Sequence, residues 1–219
     1  MFQHQTSSNE PLNLSLGKIV CVGRNYADHA KELGNEIPKA PLLFMKPATA
    51  AVELEKPFST PQDQGEVHHE VEIAVLISKT ACNISEEDSW DHVSHLGVAL
   101  DLTLRDVQSK LKEKGQPWEM AKAFDGSCPL STWTPLENIS DRNNIAIRLE
   151  RNGEARQDGN SNMMLTSIPK LIAYISQYFT LEAGDVVITG TPAGVGPLNS
   201  GDKLKVTLDD QFTFETHVI

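Results

Sequence analysis

Val67-His68-His69-Glu70-Val71-Glu72-Ile73-Ala74-Val75-Leu76-Ile77 begins as a polar, acidic patch and runs straight into an apolar stretch. Val71, Ile73, Val75 and Ile77 alternate with Glu70, Glu72, Ala74 and Leu76, which is the two-residue period of a β-strand, and Gly65 bounds it upstream. Glu70 and Glu72 therefore face the same way, roughly 6.5 Å apart along the strand. Two carboxylates so placed repel each other unless they share a cation, and a small hard dication suits their oxygens. The plainer reading is a solvated strand face with two ordinary glutamates.

The rest of the composition narrows the field. With 219 residues and 39% hydrophobic content the chain can bury a substantial core, and one domain is expected. Nineteen basic against 30 acidic residues give a formal charge of −11, which argues against nucleic acid or an anionic membrane surface as a partner. An anionic substrate would need local help from a bound dication or a few Arg and Lys residues. Cys21, Cys82 and Cys128 are widely spaced, with no C-x-x-C pair, so neither a disulfide framework nor a thiolate zinc site is indicated. Residues 1 to 10 lack a basic start and an apolar stretch, and no apolar run approaches membrane-spanning length; a soluble, cytoplasmic protein is expected.

Upstream of the acidic stretch, Lys18-Ile19-Val20-Cys21-Val22-Gly23 reads as a buried strand, and Tyr26 to Leu33 as a helix stopped by Gly34. His29 and Glu32 share a face of that helix, the composition of a general base oriented by a carboxylate, although such pairs are also common on exposed helices. Leu42-Leu43-Phe44-Met45, bracketed by Pro38, Pro41 and Pro47, is a short buried extended segment. Downstream, Ser85 with Glu86, Glu87 and Asp88 predicts a helix start running to about His92 or Val93. Gly97 to Leu102 predicts a buried strand interrupted by Asp101, whose partner is either a cation shared with Glu70 and Glu72 or the helix that follows. That helix spans about Thr103 to Lys114, with Leu104, Val107 and Leu111 inward and Arg105 and Gln108 beside them.

Trp118 to Phe124 alternates again, setting Lys122 among large apolar neighbours; it either snorkels to the surface or aims its charge at an anion in a pocket. Arg151-Asn152-Gly153-Glu154 predicts a type I′ hairpin turn. Ser167 and Pro169 open a helix with Ile168, Leu171, Ile172, Ile175, Tyr178 and Phe179 at helical spacing. Gly184 to Pro192 is a turn, a buried strand and a corner that can offer backbone N–H groups and the Thr191 hydroxyl to an anion, without the G-K-[ST] of a phosphate-binding loop. Gly201 to Leu208 adds a further strand.

Five motifs in this order resemble the fumarylacetoacetate hydrolase family, its small acylpyruvase branch above all. They are Val22-Gly23-Arg24-Asn25-Tyr26 with His29 and Glu32; His68-His69-Glu70-Val71-Glu72; Asp101-Leu102-Thr103 with Arg105-Asp106-Val107-Gln108; Lys122; and Gly190-Thr191-Pro192-Ala193-Gly194-Val195-Gly196. The resemblance runs from about Lys18 to the end, leaving 1–17 as an N-terminal extension to a single catalytic domain over 18–219. It implies an α+β, β-rich fold, a mixed β-sandwich roll with peripheral helices, in a homodimer. It implies a Mg²⁺ or Mn²⁺ site made by Glu70, Glu72 and Asp101, with Ca²⁺ as a stand-in in crystals. It also implies a water-handling His29–Glu32 dyad with Lys122 near the substrate, and Arg24, Tyr26, Arg105, Gln108 and Thr191 as substrate-binding candidates.

The residue types suit that chemistry. Three carboxylates give oxygen-only ligation with room for a chelating 2-oxo acid, whose enolate the metal would stabilise. The first expectation is hydrolysis of acylpyruvates: water activated by His29 and Glu32 attacks the distal carbonyl, Lys122 stabilises the oxyanion, and pyruvate enolate leaves. Decarboxylation or keto–enol tautomerisation of oxaloacetate reaches the same enolate and is the alternative. Isomerisation of a hydroxyhepta-diene-dioate, or a metal-stabilised domain that binds a keto acid without chemistry, stand further off. A cupin is disfavoured because adjacent His68 and His69 project from opposite faces of a strand.

Overall fold

In the computed structural model, which describes residues 2–219, the acidic stretch forms two strands, β4 (Val67–His69) and β5 (Val71–Ile77), that break at Glu70. Every residue of β5 is buried. Its alternation sorts between two cores: Val71, Ile73, Val75 and Ile77 enter one, Ala74 and Leu76 the other. The period-two pattern thus marks a strand covered on both faces.

The largest sheet runs β2 (Leu42–Pro47), β1 (Lys18–Gly23), β12 (Val186–Ile188), β5, β6 (Val93–Leu100), β8 (Cys128–Leu130), β3 (Ala51–Glu53), with β9 (Thr134–Pro135) also beside β6. It is mixed, since β1–β12 and β3–β8 are parallel and the other pairs antiparallel. The second sheet is antiparallel: β11 (Glu154–Asn160), β10 (Ala146–Arg151), β14 (Lys203–Leu208), β15 (Phe212–His217). A small third sheet joins β13 (Gly196–Pro197), β4 and β7 (Thr103–Leu104).

Ile147 and Leu149 of β10 and Val206 and Leu208 of β14 share one core with β5 and β6. Ile168, Leu171, Ile172 and Ile175 of α4 (Ile168–Ser176) complete it. Each such side chain, fully buried, contributes about 1.5–3 kcal/mol of transfer free energy. The fold is the expected α+β, strand-rich sandwich. On the other face of the large sheet, Phe2, Leu12, Leu14 and Leu16 pack against Ile19, Leu76 and Ile188, so the N-terminal residues do the covering. The predicted hairpin turn is present, with Asn152 and Gly153 at φ 56° and 82°.

Four expectations need correction. Ser85 starts no α-helix: its hydroxyl bonds Asp88 in a turn, and only a 3-10 turn, Ser89–His92, precedes β6. Ser89 Oγ donates to Ser85 O and Pro169 O instead of continuing a helix. Trp118 to Phe124 is not extended, because Glu119–Lys122 forms a short helix, α3, which leaves Met120 69% exposed while Lys122 is 3% exposed. Trp118 and Lys122 still face together, now one helical turn apart. Thr103 and Leu104 pair with β4, so the next helix, α2, spans only Arg105–Glu113. α4 stops at Ser176, which leaves Tyr178 exposed beyond it. Among the described residues no helix is long and apolar enough to cross a membrane.

Candidate active site

β5 and β6 pair with Val71 opposite Leu100 and Glu72 opposite Ala99, so the residues just past that register, Glu70 and Asp101, become neighbours. Asp101 N–H donates to Glu70 O at 2.8 Å and fixes the juxtaposition. Carboxylate oxygens of Glu70, Glu72 and Asp101 lie within 4.8 Å of one another, and the three residues are 5%, 2% and 1% exposed. Burial, together with Asp101 and Glu70, raises the Glu72 carboxyl well above its ordinary value. Burial pushes Glu70 the same way, but Lys122 and Arg105 outweigh it and hold Glu70 well below the carboxylate range.

Three cations neutralise the cluster. Lys122 Nζ donates to Glu70 Oε2 at 2.8 Å and Asp101 Oδ2 at 2.6 Å, and lies 5.2 Å over the Phe44 ring. It does not snorkel; burial favours its neutral form, yet Asp101 and Glu70 hold its pKa above the usual lysine value. Arg105 donates to Glu70 Oε1 and, at 2.7 Å, to Gln108 Oε1. Lys46, fully buried on β2, lies 2.9 Å from Asp101 Oδ1. Its hydrogens are directed elsewhere, at Lys122 O, Ser127 O and Ser127 Oγ, so Asp101 Oδ1 accepts no directed hydrogen bond. Lys46 thereby pairs with Asp101 by charge, without a directed hydrogen bond to that oxygen. An all-oxygen donor set with an uncommitted buried oxygen fits a hard divalent cation.

The dyad sits on α1 (Ala27–Glu32), where His29 is buried and Glu32 is exposed. His29 Nδ1 is 3.3 Å from Glu32 Oε2, and Glu32 Oε1 accepts from Gly194 N at 3.0 Å. With Nδ1–H donated to Glu32, Nε2 carries the lone pair. The loop that holds Glu32 also holds the triad: Gly190 N donates to Glu72 Oε2 at 2.7 Å, and Thr191 Oγ donates to Val71 O at 2.8 Å. Gly190 and Gly194 sit at φ 97° and 100°, and a Cβ at Gly194 would overlap the Arg156 carbonyl, so both positions require glycine.

Arg24, His29, Glu70, Glu72, Asp101, Arg105, Gln108, Lys122 and Thr191 all line one cleft. Tyr26 does not; it is the N-cap residue of α1, 2% exposed, with its hydroxyl unpartnered and its ring beside Gly159. Sequence reading missed Lys46, although a lysine closing the apolar run Leu42 to Met45 is the same signal that marks Lys122. It also missed Gln157, 1% exposed. Gln157 Oε1 accepts from Val71 N and His69 Nδ1, and its Nε2 donates to Thr191 Oγ and Pro192 O, which staples the loop to β5. Nothing in its polar neighbourhood distinguishes it in the sequence.

The family model for the fumarylacetoacetate hydrolase C-terminal domain matches residues 18–219. The oxaloacetate tautomerase of Escherichia coli is 54% identical over 210 residues, covering 95% of this chain and 96% of that protein. The mitochondrial oxaloacetate decarboxylase of Dictyostelium discoideum is 45% identical over 86% of this chain and 87% of its own. Among solved structures, the fumarylpyruvate hydrolase of Pseudomonas aeruginosa, in complex with Mn²⁺ and pyruvate, superimposes with a TM-score of 0.92 at 33% identity, over 100% of this chain and 95% of that one. By sequence and by fold, the chain belongs to the fumarylacetoacetate hydrolase family of enzymes.

Proposed function

We propose that this enzyme interconverts the keto and enol forms of oxaloacetate, with Glu70, Glu72 and Asp101 holding Mg²⁺ or Mn²⁺. The observation that carries the reading is one base and one carboxylate triad lining the same cleft. A dication held there by Glu70, Glu72 and Asp101 would supply Lewis-acid chemistry to a 2-oxo acid. His29 Nε2 removes a proton from C3, and the C–H electron pair becomes the C2–C3 double bond. Glu32 holds Nδ1–H and stabilises the imidazolium that results. Lys122, kept charged by its two carboxylates, adds positive potential where the oxygen gains charge. The proton then returns to that oxygen, or to C3 in the reverse direction.

The hydrolysis expected first from the sequence takes second place. The 54% identical relative is an oxaloacetate tautomerase, whereas the fumarylpyruvate hydrolase is 33% identical. Hydrolysis would use the same dyad to activate water. The test measures, on one preparation with Mg²⁺, loss of enol-oxaloacetate absorbance and cleavage of acetylpyruvate to pyruvate. A kcat/KM for tautomerisation at least about tenfold the larger is expected, this being the scale of a 1.4 kcal/mol barrier difference. Faster acetylpyruvate cleavage would reverse the assignment.

A further inference from the structure

The cleft contains more positive charge than its own carboxylates use. Three of its cations, Lys46, Lys122 and Arg105, pair directly with Glu70 and Asp101. Arg24 and Lys112 line the same cleft, and neither makes an ion pair among the described residues. In a chain of formal charge −11, two uncommitted cations converging on one cleft mark an anion subsite.

The Lys112 ammonium is held by a hydrogen bond, and the backbone that carries Arg24 is fixed. Arg105, Gln108 and Lys112 fall on one face of α2 at successive turns, so Lys112 stands roughly 10 Å along the helix from Arg105, farther from the triad. Its Nζ donates to Asn35 Oδ1 at 2.8 Å, which carries the ammonium across to the chain after α1. Burial, then the nearby Arg24 and Arg105, lowers its pKa, as expected of a cation among cations. Arg24 adopts a left-handed φ of 58°, which an L-residue keeps only where its surroundings fix it. The fixing is visible next door: buried Asn25 donates to Thr166 O and Thr189 O and accepts from Thr166 N.

We infer that Lys112 and Arg24 receive the second carboxylate of a 2-oxo dicarboxylic acid whose first carboxylate and 2-oxo group lie at the triad, and so set the enzyme's preference for dianionic substrates. This rests on the reading of the cleft as a 2-oxo acid site. The second carboxylate of such a substrate would meet two cleft cations that no protein carboxylate pairs. A 2-oxo monocarboxylate would leave the outer cations unanswered.

Oxaloacetate and acetylpyruvate test the subsite cleanly, because they share the same first three carbons and differ in carrying a carboxylate or a neutral acetyl group at C4. The experiment measures KM for Mg²⁺-supported tautomerisation of each by wild type, Lys112→Met, Lys112→Arg and Arg24→Gln. In Lys112→Met the ratio of KM for oxaloacetate to KM for acetylpyruvate rises about tenfold, the scale of one partly exposed charge-assisted hydrogen bond, and Lys112→Arg recovers most of it. Lys112 is exposed at the protein surface, so the fold survives the change. An unchanged ratio in Lys112→Met and in Arg24→Gln overturns the subsite even if both substrates are turned over. Wild type that tautomerises neither substrate instead removes the functional reading on which the subsite rests.

Discussion

Lys46 shows how a single side chain can matter without touching substrate. Its ammonium is fully buried and close to Asp101, and its directed hydrogen bonds run to Ser127 and the Lys122 carbonyl. Removing one partner of a buried ion pair leaves an uncompensated charge, which typically costs about 3–5 kcal/mol. Lys46→Met should therefore lower the Tm of EDTA-treated protein. Because a dication bound at the triad would answer the uncompensated negative charge, Mg²⁺ should raise the Tm of Lys46→Met by more than it raises that of wild type. Thermal unfolding with EDTA and with Mg²⁺ measures both; an equal Mg²⁺ increment in the two proteins would contradict the counter-ion role. Glu70, Glu72 and Asp101 are legible in the sequence because unmatched carboxylates at strand spacing need a partner. Gln157 is not, since its importance comes from a contact made across sheets by residues far apart in the chain.

At the level of elements, periodicity reads well wherever one face or both faces of a long element are buried. β5, the β10–β11 hairpin and α4 as far as Ser176 follow their patterns. It reads poorly over short segments: four residues of α3 mimic an alternation, and the acidic residues after Ser85 cap a turn that never propagates. Short helices lack the hydrogen bonds to offset nucleation, so tertiary contacts decide them. The loop from Gly190 to Gly194 is recognisable as an anion-facing corner, but its hold on both Glu72 and Glu32 emerges only when β12 is laid beside β5. One loop thereby fixes the triad and the dyad in a common frame.

Across the whole molecule, residues 2–17 cover the open face of the large sheet, and His4 ties them down. Its Nε2–H donates to Gly184 O at 3.0 Å, and its Nδ1 accepts from Trp133 Nε1 at 2.9 Å. A second proton would have to displace the indole N–H. Burial accordingly lowers the His4 pKa. The unfolded chain then binds more protons than the folded one as pH falls through about 6.5, so stability declines with acidification across that window. His4→Gln preserves one donor and one acceptor without titrating, and its Tm should fall less between pH 7 and pH 5 than that of wild type. Identical slopes would show that His4 carries none of the pH dependence.

The chemistry proposed for the cleft depends most on the buried triad being a cation site. Calorimetric titration of wild type and Glu72→Gln with Mn²⁺, both checked for native circular dichroism, tests this directly. Glu72→Gln removes one of three anionic donors while keeping side-chain shape, so Mn²⁺ affinity should fall by about tenfold or more. Equal Mn²⁺ affinity in the two proteins would contradict the assignment.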